Sequence, residues 1–315
     1  MRTSAAPPWV LILAGGDGIR LRALTAQIVG DARPKQFCPL FDGETLLDRT
    51  RRRADFVARF DHQVVVVTRA HEPYYRYLEG ELGPGRLIVQ PENRGTGPGI
   101  LYPLLRVIEL AGDDVPLVVL PSDHHVSDDL SFMAYVRSAV DVVCARPSAI
   151  VLLGVEPERP ETEYGWIEPR EMSLDLEGEP VFPIRRFWEK PSAKLAESLF
   201  GRGCLWNSFV MVARTRGLLD LIATYAPELP VAFDGVRRVM GTPAEAEAVD
   251  RLYAGLPASN FSDRILAQAP GHLATLRVKG VEWSDLGNPQ RVLATVRRNG
   301  WRPEWLSRFP LASAG

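Results

Sequence analysis

Val10-Leu11-Ile12-Leu13-Ala14-Gly15-Gly16-Asp17-Gly18-Ile19-Arg20-Leu21 is the stretch that decides the fold. Four apolar residues run without a break into a small residue and two glycines. A continuous apolar run, unlike an alternating one, suits a strand covered on both faces of a parallel sheet. The glycines permit positive φ and close backbone approach. Successive amides in such a turn can cradle a phosphate, and open α/β sheets place ligands at the carboxyl ends of their strands. No Gly-Lys-Ser/Thr follows, and the spacing is not G-x-G-x-x-G, so neither common phosphate fingerprint applies. Taken alone, the turn also fits a plain strand-to-helix reversal.

Working outward, residues 64–68 (VVVVT), 87–89, 117–120 (LVVL) and 150–155 (IVLLGV) are apolar runs of the same kind. Residues 45–60 and 130–145 between them have helical texture. Residues 97–110 do too, with Pro103 expected to kink or delay that helix. The run Arg51-Arg52-Arg53 reads as a solvated helix face. Strand and helix in alternation predict a doubly wound sheet. After about residue 160 the texture changes. Strand candidates at 164–167, 185–188 and 206–213 carry polar and aromatic residues, and helices are expected at 218–225, 244–253 and 288–298. No Ser/Gly/Pro-rich linker, internal repeat or low-complexity tract interrupts the chain. One domain over residues 1–315 is expected, its second half covering the mouth of the first.

The length of 315 residues allows one large domain or two small ones. The formal charge of −2 leaves no general electrostatic footprint for nucleic acid, so any bound anion must be held locally. Twenty-six glycines and 26 prolines point to many tight loops. Cys38, Cys144 and Cys204 form neither a disulfide framework nor a zinc spacing, and read as small buried hydrophobes of a cytoplasmic protein. No apolar run approaches the ~18 residues of a membrane span. The first nine residues lack the apolar core of a signal peptide and read as a short leader.

Cations follow the glycine turn: Arg20 at its end, and Lys35 in Pro34-Lys35-Gln36-Phe37. The proline stiffens the approach, and lysine is a compact charge suited to a phosphate oxygen. Together, Leu13 to Leu21 and Pro34-Lys35-Gln36-Phe37 resemble the signature of the sugar-1-phosphate nucleotidylyltransferases, in particular the mannose-1-phosphate guanylyltransferase branch. Five further segments agree in order: Gln90-Pro91-Glu92-Asn93-Arg94-Gly95-Thr96-Gly97-Pro98, Leu120-Pro121-Ser122-Asp123-His124, Tyr164-Gly165-Trp166-Ile167, Glu189-Lys190-Pro191 and Trp206-Asn207-Ser208. Trp283-Ser284-Asp285-Leu286-Gly287 closes the series. Ile19 departs from the family's usual Thr or Ser, Ala23 replaces a usual proline, and the link from Leu24 to Pro34 is longer than the norm.

The resemblance implies a Rossmann-like mixed, mostly parallel sheet flanked by helices, the nucleotidyltransferase fold, without the C-terminal β-helix of many relatives. It implies a nucleotide-binding half over residues 1–160 and a sugar-phosphate-binding half over 161–315. The implied reaction moves GMP from GTP to mannose 1-phosphate, releasing pyrophosphate. A different sugar or base is the alternative, as is a non-catalytic regulatory paralogue that binds nucleotide sugars. Arg20 and Lys35 are implied as catalytic cations. Leu13, Ala14, Gly15, Gly16, Gly18, Pro91, Asn93, Thr96 and Ser122 are implied on the nucleotide side; Gly165, Glu189, Lys190 and Asn207 on the sugar-phosphate side. Asp123 and Asp285 are implied as ligands of Mg²⁺, which takes one or two carboxylates and completes its shell with phosphates and water. As close like charges, at least one of the two is expected to have a raised pKa. His124 and His125, adjacent on an extended segment, should point opposite ways. Trp166, Trp188, Trp206 and Trp283 are expected to pack. Partners are the two small-molecule substrates only, with no nucleic acid or membrane, and a monomer or weak homodimer.

Overall fold

The computed structural model describes residues 7–174 and 178–308; most of the expected leader, residues 1–6, lies outside them. In chain order the strands are β1 (Trp9–Leu13), β2 (Gln63–Thr68), β3 (Leu87–Gln90), β4 (Pro116–Pro121), β5 (His125–Val126) and β6 (Ile150–Val155). They continue with β7 (Gly165–Pro169), β8 (Val181–Glu189), β9 (Leu205–Arg214), β10 (Leu273–Val278) and β11 (Trp283–Ser284). Nine of them form one sheet in the order β3-β2-β1-β4-β9-β6-β10-β8-β7, while β5 and β11 pair separately.

β1 is paired in parallel on both sides, with β2 and β4. Val10 and Ile12 face a core that includes Phe132, Met133 and Val136 of the helix Asp129–Ala145. Leu11 faces the other, with Ile100, Leu101 and Leu104 of the helix Thr96–Ala111. The period of two along the strand thus feeds two helical layers, which is why the run has no polar alternation.

The sheet is not mostly parallel. Four pairings are parallel, all among strands read as continuous apolar runs or β10. Five are antiparallel, and each involves β7, β8 or β9. These are the strands with mixed polar and aromatic residues; β8 has the half-exposed pattern that an antiparallel strand tolerates and a parallel one does not. β9 inserts between β4 and β6, so the two sequence halves share one sheet.

Two local expectations also change. The arginine run is not a solvated face: Arg51 and Arg53 are buried and only Arg52 is exposed. Arg53 donates to Asp129 at 2.6 Å and Arg51 pairs with Glu81 at 2.7 Å, so carboxylates from other elements draw both side chains inward. The helix carrying them stops at Ala54. Pro103 does not delay its helix, which already starts at Thr96 and runs through Ala111. The residue four earlier is Gly99, and the lost ladder bond there is offset by burial of Pro103 among its neighbours. Cys38 and Cys204 are buried and Cys144 half-buried, as expected; burial pushes the Cys38 thiol up to about 12. Among the described residues no helix is long and apolar enough to cross a membrane.

Candidate active site

A cleft of about 470 Å³ opens at the carboxyl ends of β1 and β4. Its lining brings together Leu13, Gly15, Gly16, Arg20, Lys35, Asn93, Thr96, Asp123, Gly165, Glu189, Lys190, Asn207 and Asp285 from both sequence halves. Four expected residues, Ala14, Gly18, Pro91 and Ser122, do not line it.

The glycine loop is held from below by side chains. Gln36 donates to the carbonyls of Ala14 (3.0 Å) and Gly16 (2.7 Å), and Thr68 donates to Gly15 (2.9 Å). Ser122 is fully buried and its hydroxyl donates to the Leu13 carbonyl at 2.7 Å, so it ties β4 to the loop instead of facing the cleft. Gly18 has φ +56, and a methyl there would lie 3.0 Å from Lys35 N and Pro34 Cα. Only glycine lets the loop press against the lysine segment. These carbonyls being engaged, the loop presents its backbone to the cleft at Gly16, where a methyl would meet nothing.

Lys35 is buried, 8% exposed. Its ammonium lies 3.2 Å from Asp123 Oδ2 and donates to the backbone carbonyls of Asp285 and Leu286. One cation therefore touches both aspartate segments. The pairing of β5 with β11, His125 opposite Ser284, sets those segments side by side. The expectation of a raised aspartate pKa fails at Asp123. Burial would raise that carboxyl, but the Lys35 ammonium and His124 outweigh it and hold it below the usual range. The side chain remains 32% exposed toward the cleft. Asp285 accepts three hydrogen bonds on Oδ1: from Gly287 N (2.8 Å), Arg291 Nη1 (2.8 Å) and the Tyr164 hydroxyl (3.1 Å). Among the described residues no donor reaches its Oδ2.

His124 packs edge-on against Trp283 and sits 3.3 Å from Asp123, while His125 lies between Phe41 and Trp301. The two rings do point apart. Burial pushes His125 down to about 3, which keeps it neutral. No group of three or more His, Cys, Asp or Glu able to hold a metal occurs among the described residues.

The opposite wall comes from the second half. Glu189 is pushed up by burial, against the Lys190 charge, and its Oε1 lies 3.8 Å from the Lys190 ammonium. A methyl on Gly165 would meet Glu189 Oε2 and Phe187 at 3.0 Å, so Gly165 makes room for that carboxylate. Asn207 accepts from Phe209 N at 3.1 Å, and its amide nitrogen has no protein partner among the described residues. Arg20 reaches across the mouth to Glu163 at 3.2 Å.

Sequence reasoning missed several lining residues. Gln90 was quoted in its motif, but not its place in the fold: it is buried, accepts from the Tyr253 hydroxyl at 2.9 Å and backs the glycine loop. Residues 259–262 clasp the 94–97 loop: Gly97 N donates to Ser259 O (2.9 Å) and Phe261 N to Thr96 Oγ1 (2.8 Å). Nothing in that segment's composition marks it. Glu163, which lines the cleft, and Arg291, which does not but holds Asp285, were also missed. The helix start at Asn288-Pro289, an N-cap and a first-turn proline, was readable, but not the direction of an arginine two residues further on.

The chain is similar to known proteins in sequence and in fold. The Nucleotidyl transferase family matches residues 9–298. Xanthan biosynthesis protein XanB of Xanthomonas campestris pv. campestris (strain B100) is 28% identical over 302 residues, covering 92% of this chain and 60% of that protein. A mannose-1-phosphate guanylyltransferase of Escherichia coli is 26% identical over 282 residues, covering 88% and 59%. The chain thus spans about 60% of the length of these curated relatives. The crystal structure of a mannose-1-phosphate geranyltransferase from Thermus thermophilus superposes with a TM-score of 0.76 at 28% identity, over 92% of this chain and 80% of the other. The glycine loop, the lysine behind it and the aspartates beside it therefore sit in a chain that belongs to the nucleotidyl transferase family.

Proposed function

We propose that the chain transfers GMP from GTP to mannose 1-phosphate, releasing pyrophosphate and forming GDP-mannose. The observation that carries this reading is one cleft with cations on both walls: Arg20 and Lys35 beside the glycine loop, Lys190 opposite. Two anionic substrates need that arrangement, and a single one does not. The choice of guanine and mannose rests on the E. coli relative's activity.

A phosphate monoester is mostly dianionic at neutral pH, with a second pKa of about 6. Its oxygen forms a new bond to the α-phosphorus as the bond from that phosphorus to pyrophosphate breaks in line. The nucleophile is already ionised, so no residue has to remove a proton. Catalysis rests on placement and on neutralising charge. The backbone of Leu13, Ala14, Gly15, Gly16 and Gly18, with Asn93 and Thr96, cradles the nucleotide; Pro91 and Ser122 support it from outside the cleft. Arg20 exchanges Glu163 for phosphate oxygens, and Lys35 steadies charge on the leaving side. Lys190 takes the acceptor phosphate, while Gly165, Glu189 and Asn207 take sugar hydroxyls.

The donor set fits a magnesium ion: two carboxylates, with Asp285 Oδ2 unclaimed by the described residues and Asp123 partly open to the cleft. Mg²⁺ bound there by Asp123 and Asp285 would neutralise charge on the α-phosphate. The division into a nucleotide half (1–160) and a sugar-phosphate half (161–315) is part of the same proposal.

Pyrophosphate release from each of the four common nucleoside triphosphates, paired with a panel of hexose 1-phosphates, tests the reading. GTP with mannose 1-phosphate should turn over fastest. A faster pair with another base or sugar would replace the assignment, and no turnover with any pair would sink it.

A further inference from the structure

Arg291 sits in the first turn of the helix Pro289–Arg298, 8% exposed, at the centre of a charged cluster. Its Nη1 donates to Asp285 Oδ1 at 2.8 Å. Its Nη2 lies 3.0 Å from Glu161 Oε2 and 2.7 Å from Glu163 Oε2. The guanidinium stacks 4.5 Å above the Tyr164 ring, and that same tyrosine donates its hydroxyl to Asp285 Oδ1. The guanidinium is therefore held by three carboxylates and one ring face. A planar fork so held cannot follow a moving carboxylate, so the carboxylate must stay with it.

Among the described residues, all the donors to the Asp285 carboxylate converge on one oxygen. Oδ1 receives Arg291, Tyr164 and Gly287 N, and Oδ2 receives no donor among the described residues. Rotation about the side chain would break three charge-assisted hydrogen bonds, one of them from a charged donor. Asp285 can thus offer a cation a single oxygen in a single direction. Ca²⁺ accepts bidentate carboxylates and irregular shells of six to eight oxygens. Mg²⁺ demands near-octahedral geometry at about 2.1 Å.

The geometry points to Arg291, assisted by Tyr164, as a positioning residue that locks Asp285 into a one-oxygen ligand and so selects Mg²⁺ or Mn²⁺ over Ca²⁺. The inference rests on the proposed metal role of Asp285 and adds what sets the ion's identity. Neither residue touches the ion; both act through the aspartate. Partners of metal ligands commonly alter affinity by about 10- to 100-fold when removed.

The test reads metal binding directly, as loss of the free Mn²⁺ electron paramagnetic resonance signal when protein and a non-hydrolysable GTP analogue are added, with Ca²⁺ as competitor. Wild type, Arg291→Gln, Arg291→Lys, Tyr164→Phe and Asp285→Asn are compared. Arg291→Gln should bind Mn²⁺ about tenfold more weakly and Ca²⁺ no more weakly than wild type, so that discrimination narrows. Arg291→Lys should recover part of the Mn²⁺ affinity, because one donor to Oδ1 returns. Tyr164→Phe keeps the ring and loses only one donor, and should fall between wild type and Arg291→Gln. It decides the matter if Arg291→Gln, which leaves Glu161 and Glu163 without this cation, fails to fold. Asp285→Asn separates the two readings. If it loses Mn²⁺ while the Arg291 and Tyr164 variants keep wild-type affinity and wild-type Ca²⁺ competition, the positioning role is overturned and the metal site stands. If Asp285→Asn itself binds Mn²⁺ normally, the metal reading falls and takes this inference with it.

Discussion

The two walls of the cleft reach the same kind of backbone geometry with different residues. At the first wall, positive φ falls to glycine: Gly18 at φ +56, behind the wall, and Gly95 at φ +84, in its lining. On the second wall positive φ falls to Lys190 (+43) and Phe209 (+61), and beside Lys35 to Leu286 (+49), the only non-glycine residues with positive φ among those described. Lys190 and Phe209 line the cleft, and Leu286 directly follows Asp285. Each has its amide caught by a nearby acceptor: Lys190 by Tyr164 O (3.2 Å), Phe209 by Asn207 Oδ1 (3.1 Å), Leu286 by Ser284 Oγ (3.2 Å). A side chain in this region costs on the order of 1–2 kcal/mol, and such strain gathers where function requires a particular residue. The comparison teaches that the first wall offers backbone, so glycine serves. The second must offer side chains at the turn itself, and carries the strain.

The largest effect should come from the first wall's cation. Lys35→Ala removes the ammonium that joins the two aspartate segments, and kcat should drop by roughly 10²–10³. Steady-state turnover with every triphosphate checks this; near-normal kcat would leave the first wall as a binding surface only.

A smaller and more selective effect is expected at Lys190. Lys190→Ala should raise KM for the sugar phosphate roughly 10- to 100-fold, the loss of a charged hydrogen bond, and leave KM for the triphosphate nearly unchanged. Equal changes for both substrates would break the division between walls. Lys190→Gly lacks the same charge but not the freedom of φ, so it should be more stable than Lys190→Ala by about 1 kcal/mol in urea unfolding. Equal stabilities would mean that the second wall is not strained at this point.

The smallest effect concerns His71, beneath the first wall. It is buried, 3.5 Å from Asp17 of the glycine loop and edge-on to Phe37. Burial lowers its pKa, against the pull of Asp17 and with a further push from Arg22. The unfolded chain therefore takes up this proton first, near pH ~6.5. Its contribution is complete above that pH and is lost as pH falls below it toward the folded value. Urea midpoints compared at about pH 7.5 and about pH 5.5, on either side of that value, should fall more for wild type than for His71→Gln. Identical losses would remove His71 from the account.

Much of the first wall was legible. The apolar run of β1 reads correctly because a strand buried on both faces has no other way to look, and a glycine turn after it marks a ligand edge. The candidate residues from Leu13 to Lys35 and the two aspartates were reached through ordered motifs. The error over the sheet has a local cause: β7, β8 and β9 were seen as polar and aromatic, yet their antiparallel direction was not drawn from it. The buried Arg51 and Arg53 show the limit on charge runs, because their partners Glu81 and Asp129 lie on other elements.

By itself the sequence determined the repeating strand–helix order, the edge of the sheet where the cleft opens, and the cations and carboxylates available there. These depend on neighbours within a few residues, where periodicity and turn chemistry act. Tertiary structure alone decided that Ser122 faces inward, that Lys35 stands between the Asp123 and Asp285 segments, and that Arg291 and Tyr164 fix one oxygen of Asp285. Those outcomes depend on β9 entering between β4 and β6 and on β5 meeting β11. A side chain's direction follows from the packing of segments far apart in the chain, and no local pattern encodes it.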